Sequence, residues 1–129
     1  VRLRLTRRAD EDIEQILEET LRAFGSRQVQ AYAELIDRAI AMVVEEPRRP
    51  SSKIRPEIAA GIRSFHVALA GRRRTGASHV LYFTVVDAAD DAGEVVILRI
   101  LHDRMEPRRR LPGGLDPTSA AGDDGIATA

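Results

Sequence analysis

Arg99, His102, Arg104 and the triplet Arg108–Arg110 fall within one stretch, Val95–Leu111, VVILRILHDRMEPRRRL. Guanidinium groups at this density can grip a phosphate or carboxylate through paired hydrogen bonds. The functional reading of such a set is a cationic site at the strand's exit that holds phosphate or carboxylate. A plainer alternative pairs Arg99 with a helix acid and leaves Arg108–Arg110 in solvent. Residue pattern alone does not separate these readings.

The remaining chemistry-bearing residues say less. Asp10, Glu11, Asp12 and Glu14 could do acid–base work, but the plainer reading is a solvated helix face near a positive dipole end. His66, His79 and His102 are too scattered for a metal site, and no cysteine accompanies them. Gly71-Arg72-Arg73-Arg74-Thr75-Gly76 lacks the spacing of a phosphate-cradling loop. No metal and no cofactor is therefore expected, and no catalytic residue is assigned from these groups.

The elements that must position these groups follow from periodicity. Val95–Leu101 is an apolar run interrupted only by Arg99, which reads as a strand buried on both faces. Strand alternation puts Arg99 on the face of Val95, Ile97 and Leu101, with His102 pointing the other way. At the other end of the chain, Val1–Thr6 alternates Val1, Leu3 and Leu5 with Arg2, Arg4 and Thr6. That is a half-buried strand at a sheet edge. Thr6 can cap a helix whose apolar face is Ala9, Ile13, Ile16, Leu17, Leu21 and Phe24. Gly25 stops that helix, and Ser26 can cap the next at once, giving an antiparallel hairpin. The second helix presents Val29, Tyr32, Ala33, Ile36, Ala39, Ile40 and Val43, and ends near Glu46 before Pro47.

Residues from Pro47 to Gly61 read as a loop without regular structure. Ile62–Leu69 and Ser78–Val86 are further strands, joined by an Arg-rich connection, and Asp87–Gly93 is an acidic hairpin loop. From Pro112 too little is apolar to offset ordering entropy, so 112–129 reads as a disordered tail after a single domain, 1–111. The order is β-α-α-β-β-β, an α+β fold with a three-stranded antiparallel meander after the helices. Two helices cover one face of such a sheet, yet its last two strands are apolar on both. The leftover surface favours a second polypeptide that clasps it. Coverage by the tail or the Pro-rich loop is the alternative.

Net charge is zero over 129 residues but unevenly spread. Residues 1–46 carry −3, 47–112 carry +6 and 113–129 carry −3. A basic face of this kind recruits acidic partners. There is no tryptophan and no cysteine, which argues against base stacking and thiolate chemistry. Sequence-specific nucleic-acid binding is not expected. No run reaches membrane-spanning length and no signal-peptide pattern opens the chain, so a cytoplasmic protein is expected.

Leu98–Leu111, LRILHDRMEPRRRL, resembles the C-terminal signature of ParE toxins in the RelE/ParE superfamily of type II toxin–antitoxin systems. Residues 9–16, ADEDIEQI, resemble that family's first helix, and 24–32, FGSRQVQAY, its glycine-centred helix joint. Residues 61–65, GIRSF, and 79–83, HVLYF, are similar to its second and third strands. The resemblance runs in order from Leu3 to Leu111. Glu106 stands where the family commonly has Asp, and Arg110 where it often has His. The resemblance implies a helical hairpin on an antiparallel sheet, and a toxin that inhibits DNA gyrase by binding and catalyses no reaction. It implies a cognate ParD-like antitoxin, and target contacts among Arg99, His102, Arg104, Met105, Glu106, Arg108, Arg109 and Arg110. The alternative within the superfamily is a ribosome-dependent mRNA endonuclease of the RelE branch, in which His102 with Arg99 and Arg104 would supply the base, acid and cations around the scissile phosphate. Its members usually place a Tyr or His near the C-terminus, and here Tyr32 and Tyr82 come earlier. A binding module of toxin descent without toxicity is the third reading.

Overall fold

A computed structural model describes residues 2–71, 76–87 and 93–111 and the backbone of 126–128. The Arg72–Arg74 connection, most of the acidic hairpin loop and most of the tail lie outside the described residues. Strand β1 (Arg2–Thr6) leads into helices α1 (Arg7–Phe24) and α2 (Ser26–Glu45). Strands β2 (Lys53–Ile54), β3 (Arg63–His66), β4 (His79–Val86) and β5 (Glu94–His102) follow, then the one-turn helix α3 (Pro107–Arg110) and strand β6 (Ile126–Thr128). The sheet order is β2-β3-β4-β5-β1-β6. β1 runs parallel to β5, and the helical hairpin followed by β2, β3 and β4 connects them. β3, β4 and β5 form the expected antiparallel meander.

Local chemistry sets the joints. Thr6 accepts from the Ala9 amide as the N-cap of α1 (3.1 Å). Gly25 joins the two helices at φ +91°, ψ 177°, a conformation that only glycine adopts without strain. It fills the capping position of α2 itself, and Ser26 is the first helical residue rather than the side-chain cap. A Cβ at Gly25 meets nothing within 4 Å. Gly25→Ala should therefore cost about 1–3 kcal/mol through the backbone alone. Urea unfolding measures this, and a loss under about 0.5 kcal/mol would show that the joint relaxes freely.

The core lies on both sides of the sheet. On the helix side Ile36, Ala39 and Val43 of α2 pack with Phe65, Leu81, Phe83, Val95, Ile97 and Ile100. On the other side Val80, Tyr82, Val96, Leu98 and Leu101 pack under Ile58, Ala59, Ile62 and Leu111. The expectation of a bare apolar sheet face is thus corrected. The Pro-rich segment folds back over it, anchored by Ile58 and Ile62, and Leu111 closes the lower end.

Three further expectations change. The strand begun at Ile62 ends at His66, and Val67–Ala70 turn into a 3-10 helix capped by the His66 ring, whose Nδ1 accepts from the Ala68 amide (3.1 Å). Within the Pro-rich loop, Lys53 and Ile54 pair with Ser64 and Arg63 as a short edge strand. β1 is not the edge: Ile126–Thr128, expected to be unstructured, pair with Thr6, Leu5 and Arg4. An unpaired strand edge offers a row of free N–H and C=O groups, and even a short segment can add to it.

Candidate functional site

A bulge in β5 decides the geometry of the site. Tyr82 pairs with Arg99 but Phe83 pairs with Ile97, so Leu98 is an extra residue. Beyond the bulge the alternation is displaced. Ile100 faces the helices and Leu101 the opposite side. His102 lies on the helix side, its ring 5.5 Å from that of His79. The expected single face of Val95, Ile97, Arg99 and Leu101, with His102 opposite, is corrected for that reason: Val95 and Ile97 face the helices, Leu101 faces away and His102 faces the helices. The start of α1 satisfies groups at the bulge. The Thr6 hydroxyl donates to the Leu98 carbonyl (2.8 Å), and the Ile100 amide donates to Asp12 Oδ2 (3.0 Å).

Arg99 is held rather than free. Its Nε and Nη2 donate to the two Asp12 oxygens at 2.8 and 3.0 Å. Their side chains are only 15% and 12% exposed. Its Nη1 donates to the Arg110 carbonyl (3.1 Å). Asp12 is thus no member of a solvated acidic face. It ties the first helix to the last strand, and through Arg99 to α3.

The turn and short helix beyond β5 present the other residues singled out from the sequence. Arg104, Met105, Glu106 and Arg108–Arg110 are exposed, Met105 at 42%. Glu106 caps α3, accepting from the Arg108 amide (3.2 Å), and Pro107 occupies the first helical turn. The result is a cationic, partly apolar knob, held at its base by Leu111 in the core and by Arg99.

Beside it lies a cluster that sequence spacing did not reveal. The three histidines, 13 and 23 residues apart in the chain, meet at one end of the sheet. The Tyr32 hydroxyl is 2.6 Å from His79 Nδ1, His79 adjoins His102, and His66 Nε2 reaches Asp103 Oδ2 at 3.2 Å. His102 Nδ1 accepts from the Arg104 amide (3.1 Å), which orients the ring. The only advance signal was that His79 and His102 stand at facing ends of two adjacent strands. Among the described residues no group of three or more His, Asp or Glu is placed to hold a metal ion.

Burial raises the Tyr32 pKa, so it stays a phenol and can donate to His79. Burial, and then the neighbouring His102, lower the pKa of His79 below 6.5. The hydrogen bond from His66 lowers the pKa of Asp103. For His79 the unfolded chain binds more protons than the folded one. Its contribution is full above pH 6.5 and is lost as pH falls through the lowered folded value. Stability should therefore drop between pH 7 and 5, with His79→Gln flattening part of that drop. The Asp103 effect belongs below pH 3.8 and does not enter this window. Urea unfolding at the two pH values decides, and an equal drop in both proteins would remove His79 as its source.

Among the described residues no helix is long and apolar enough to cross a membrane. The family model for the ParE toxin of the type II toxin–antitoxin system parDE matches residues 3–107. Among solved structures, a chain of the chromosomal ParDE toxin–antitoxin system from P. aeruginosa is similar, at 18% identity and a TM-score of 0.60. The likeness covers 79% of this chain and 95% of that one, and it shows the fold. No curated protein matches the sequence.

Proposed function

This chain belongs to the ParE toxin family of type II toxin–antitoxin systems, and from that premise we propose that it inhibits DNA gyrase by binding it in the cytoplasm, and that a cognate ParD-like antitoxin neutralises it. The observation that carries the reading is the family match over residues 3–107. The knob of Arg104, Met105, Glu106 and Arg108–Arg110 is the surface offered to the target. Exposed guanidinium groups around an exposed methionine fit a negatively charged partner with an apolar centre. Arg99 is a positioning residue, since its guanidinium is spent on Asp12 and the Arg110 carbonyl. The same fact weighs against the endonuclease reading, which needs Arg99 as a free cation near the scissile phosphate.

The test is a supercoiling assay with purified gyrase and the full chain. Inhibition, or trapping of cleaved DNA, is expected, and added antitoxin should reverse it. Normal supercoiling at excess protein, with ribosome-dependent mRNA cuts that His102→Ala abolishes, would replace this reading with the endonuclease.

A further inference from the structure

The histidines are fixed in one tautomer by what reaches their Nδ1 atoms. In His66 that nitrogen accepts from the Ala68 amide (3.1 Å), so the ring proton sits on Nε2 and is donated to Asp103 Oδ2 (3.2 Å). In His102 it accepts from the Arg104 amide (3.1 Å), with Asp103 Oδ1 farther off at 3.4 Å. In His79 it faces the Tyr32 hydroxyl at 2.6 Å. The phenol oxygen already accepts from the Ser78 backbone, which turns its own proton toward His79. An imidazole whose Nδ1 accepts carries its proton on Nε2. His66 spends that donor on Asp103, whereas for His79 and His102 it meets no acceptor among the described residues. These two rings stand edge to face, 5.5 Å apart. Both line an open cleft of about 280 Å³ between α1 and the ends of β4 and β5. Met105 and Arg110 of the knob line it too, and the Arg110 carbonyl is held by Arg99.

The charges around the cleft select its occupant. Two of them, Asp12 and Arg99, neutralise each other. Two imidazole N–H groups and the Arg110 guanidinium are left for an incoming acceptor. The α1 rim carries Glu19, engaged by Gln15 (3.2 Å), and beyond it Glu11, Glu14 and Glu18. That flank repels the successive phosphates of a nucleic-acid strand. A single carboxylate enters without running along it, and its two oxygens match donors of this kind. We propose that the cleft is a carboxylate-binding subsite at the foot of the knob: an Asp or Glu side chain of a partner protein accepts from Nε2 of His79 and His102, with the Arg110 guanidinium beside it. Tyr32 is a positioning residue, since it sets which nitrogen of His79 carries the proton. The knob supplies attraction over a broad surface, and the cleft fixes the register of the partner on it. The inference deepens the toxin reading, on which it rests only for whose side chain enters.

Nitrogen NMR of the full chain, isotope-labelled at histidine, tests it without that partner. Before any addition, all three rings should carry the proton on Nε2. The probe is acetyl-Asp-methylamide, with acetyl-Asn-methylamide as its uncharged counterpart. At neutral pH the aspartate probe should shift the Nε2 signals of His79 and His102 along one saturable curve and leave His66 in place. The asparagine probe should bind at least about tenfold more weakly. Arg110→Ala, which keeps the backbone carbonyl that Arg99 holds, should weaken the aspartate probe by a similar factor. Tyr32→Phe should release His79 into a mixture of tautomers while His102 keeps its own. A proton on Nδ1 of His79 or His102 in the unaltered chain would overturn the donor assignment. No shift, equal binding of the two probes, or equal shifts in all three histidines would overturn the carboxylate site. Tighter binding of inorganic phosphate or of hexauridylate RNA would overturn the protein side chain as occupant and give the cleft to a nucleic acid. Failure of gyrase inhibition with the shifts intact would remove the toxin reading and leave the subsite as described.

Discussion

Replacing Asp12 by alanine should destabilise the domain by about 2–4 kcal/mol, one of the largest losses for any single polar side chain here. The carboxylate satisfies a fork of Arg99 and the Ile100 amide together. Its removal leaves a mostly buried guanidinium and a backbone donor without their acceptor. The lower end of the range reflects the residual exposure of the pair, 15% and 12%. Asp12→Asn keeps an acceptor for the Ile100 amide but loses the charge, so it should cost less. Arg99→Ala should weaken the chain too, and the double variant should cost less than the sum of the singles. In a thermal melt the alanine variant should lose on the order of 10 °C. A loss below about 1 kcal/mol in urea would mean that the pair is dispensable. The same variant bears on function, because Arg99 also holds the Arg110 carbonyl. Gyrase inhibition should fall further than the folded fraction does, since the knob loses its tether.

Charge reversal on the knob should have the larger effect on activity. Arg108→Glu with Arg109→Glu turns an attractive surface repulsive, and like charges across an interface cost several kcal/mol. Because 2.7 kcal/mol is about a hundredfold in affinity, the double variant should need at least about a hundredfold more protein to inhibit supercoiling. Both side chains are exposed, so unfolding should stay within about 0.5 kcal/mol of the unaltered chain. That pairing of lost inhibition with kept stability separates recognition from damage. Binding of the unaltered chain should also weaken with salt, as screening predicts. An inhibition curve unchanged by the double reversal would move the target contact away from this knob.

The helices were legible in the sequence because each carries its apolar stripe at the 3.6-residue period and is bounded by local signals. Thr6 caps one end, Gly25 allows the joint, and Pro47 ends the second helix one residue after Glu46. The meander was legible from two strongly apolar strands with polar turns between them. The second layer of core was not. Ile58 and Ala59 sit in a Pro-rich segment without period, and only the folded chain brings them over Val96 and Tyr82.

By itself the sequence determined the order of the first strand, the two helices and the meander, the helical joint, the family resemblance, and the crowding of cations in and after the strand Val95–His102. These depend on residues close together in the chain, where propensity and periodicity act. The tertiary structure alone decided which of those cations are free. One extra residue at Leu98 displaces the alternation, which sends His102 toward His79 and leaves Arg99 within reach of Asp12. It alone gathered three distant histidines, and it alone placed the C-terminal strand on β1. The reason is common to all three: a register shift or a strand pairing is set by contacts between segments far apart in the chain, and no local pattern encodes it.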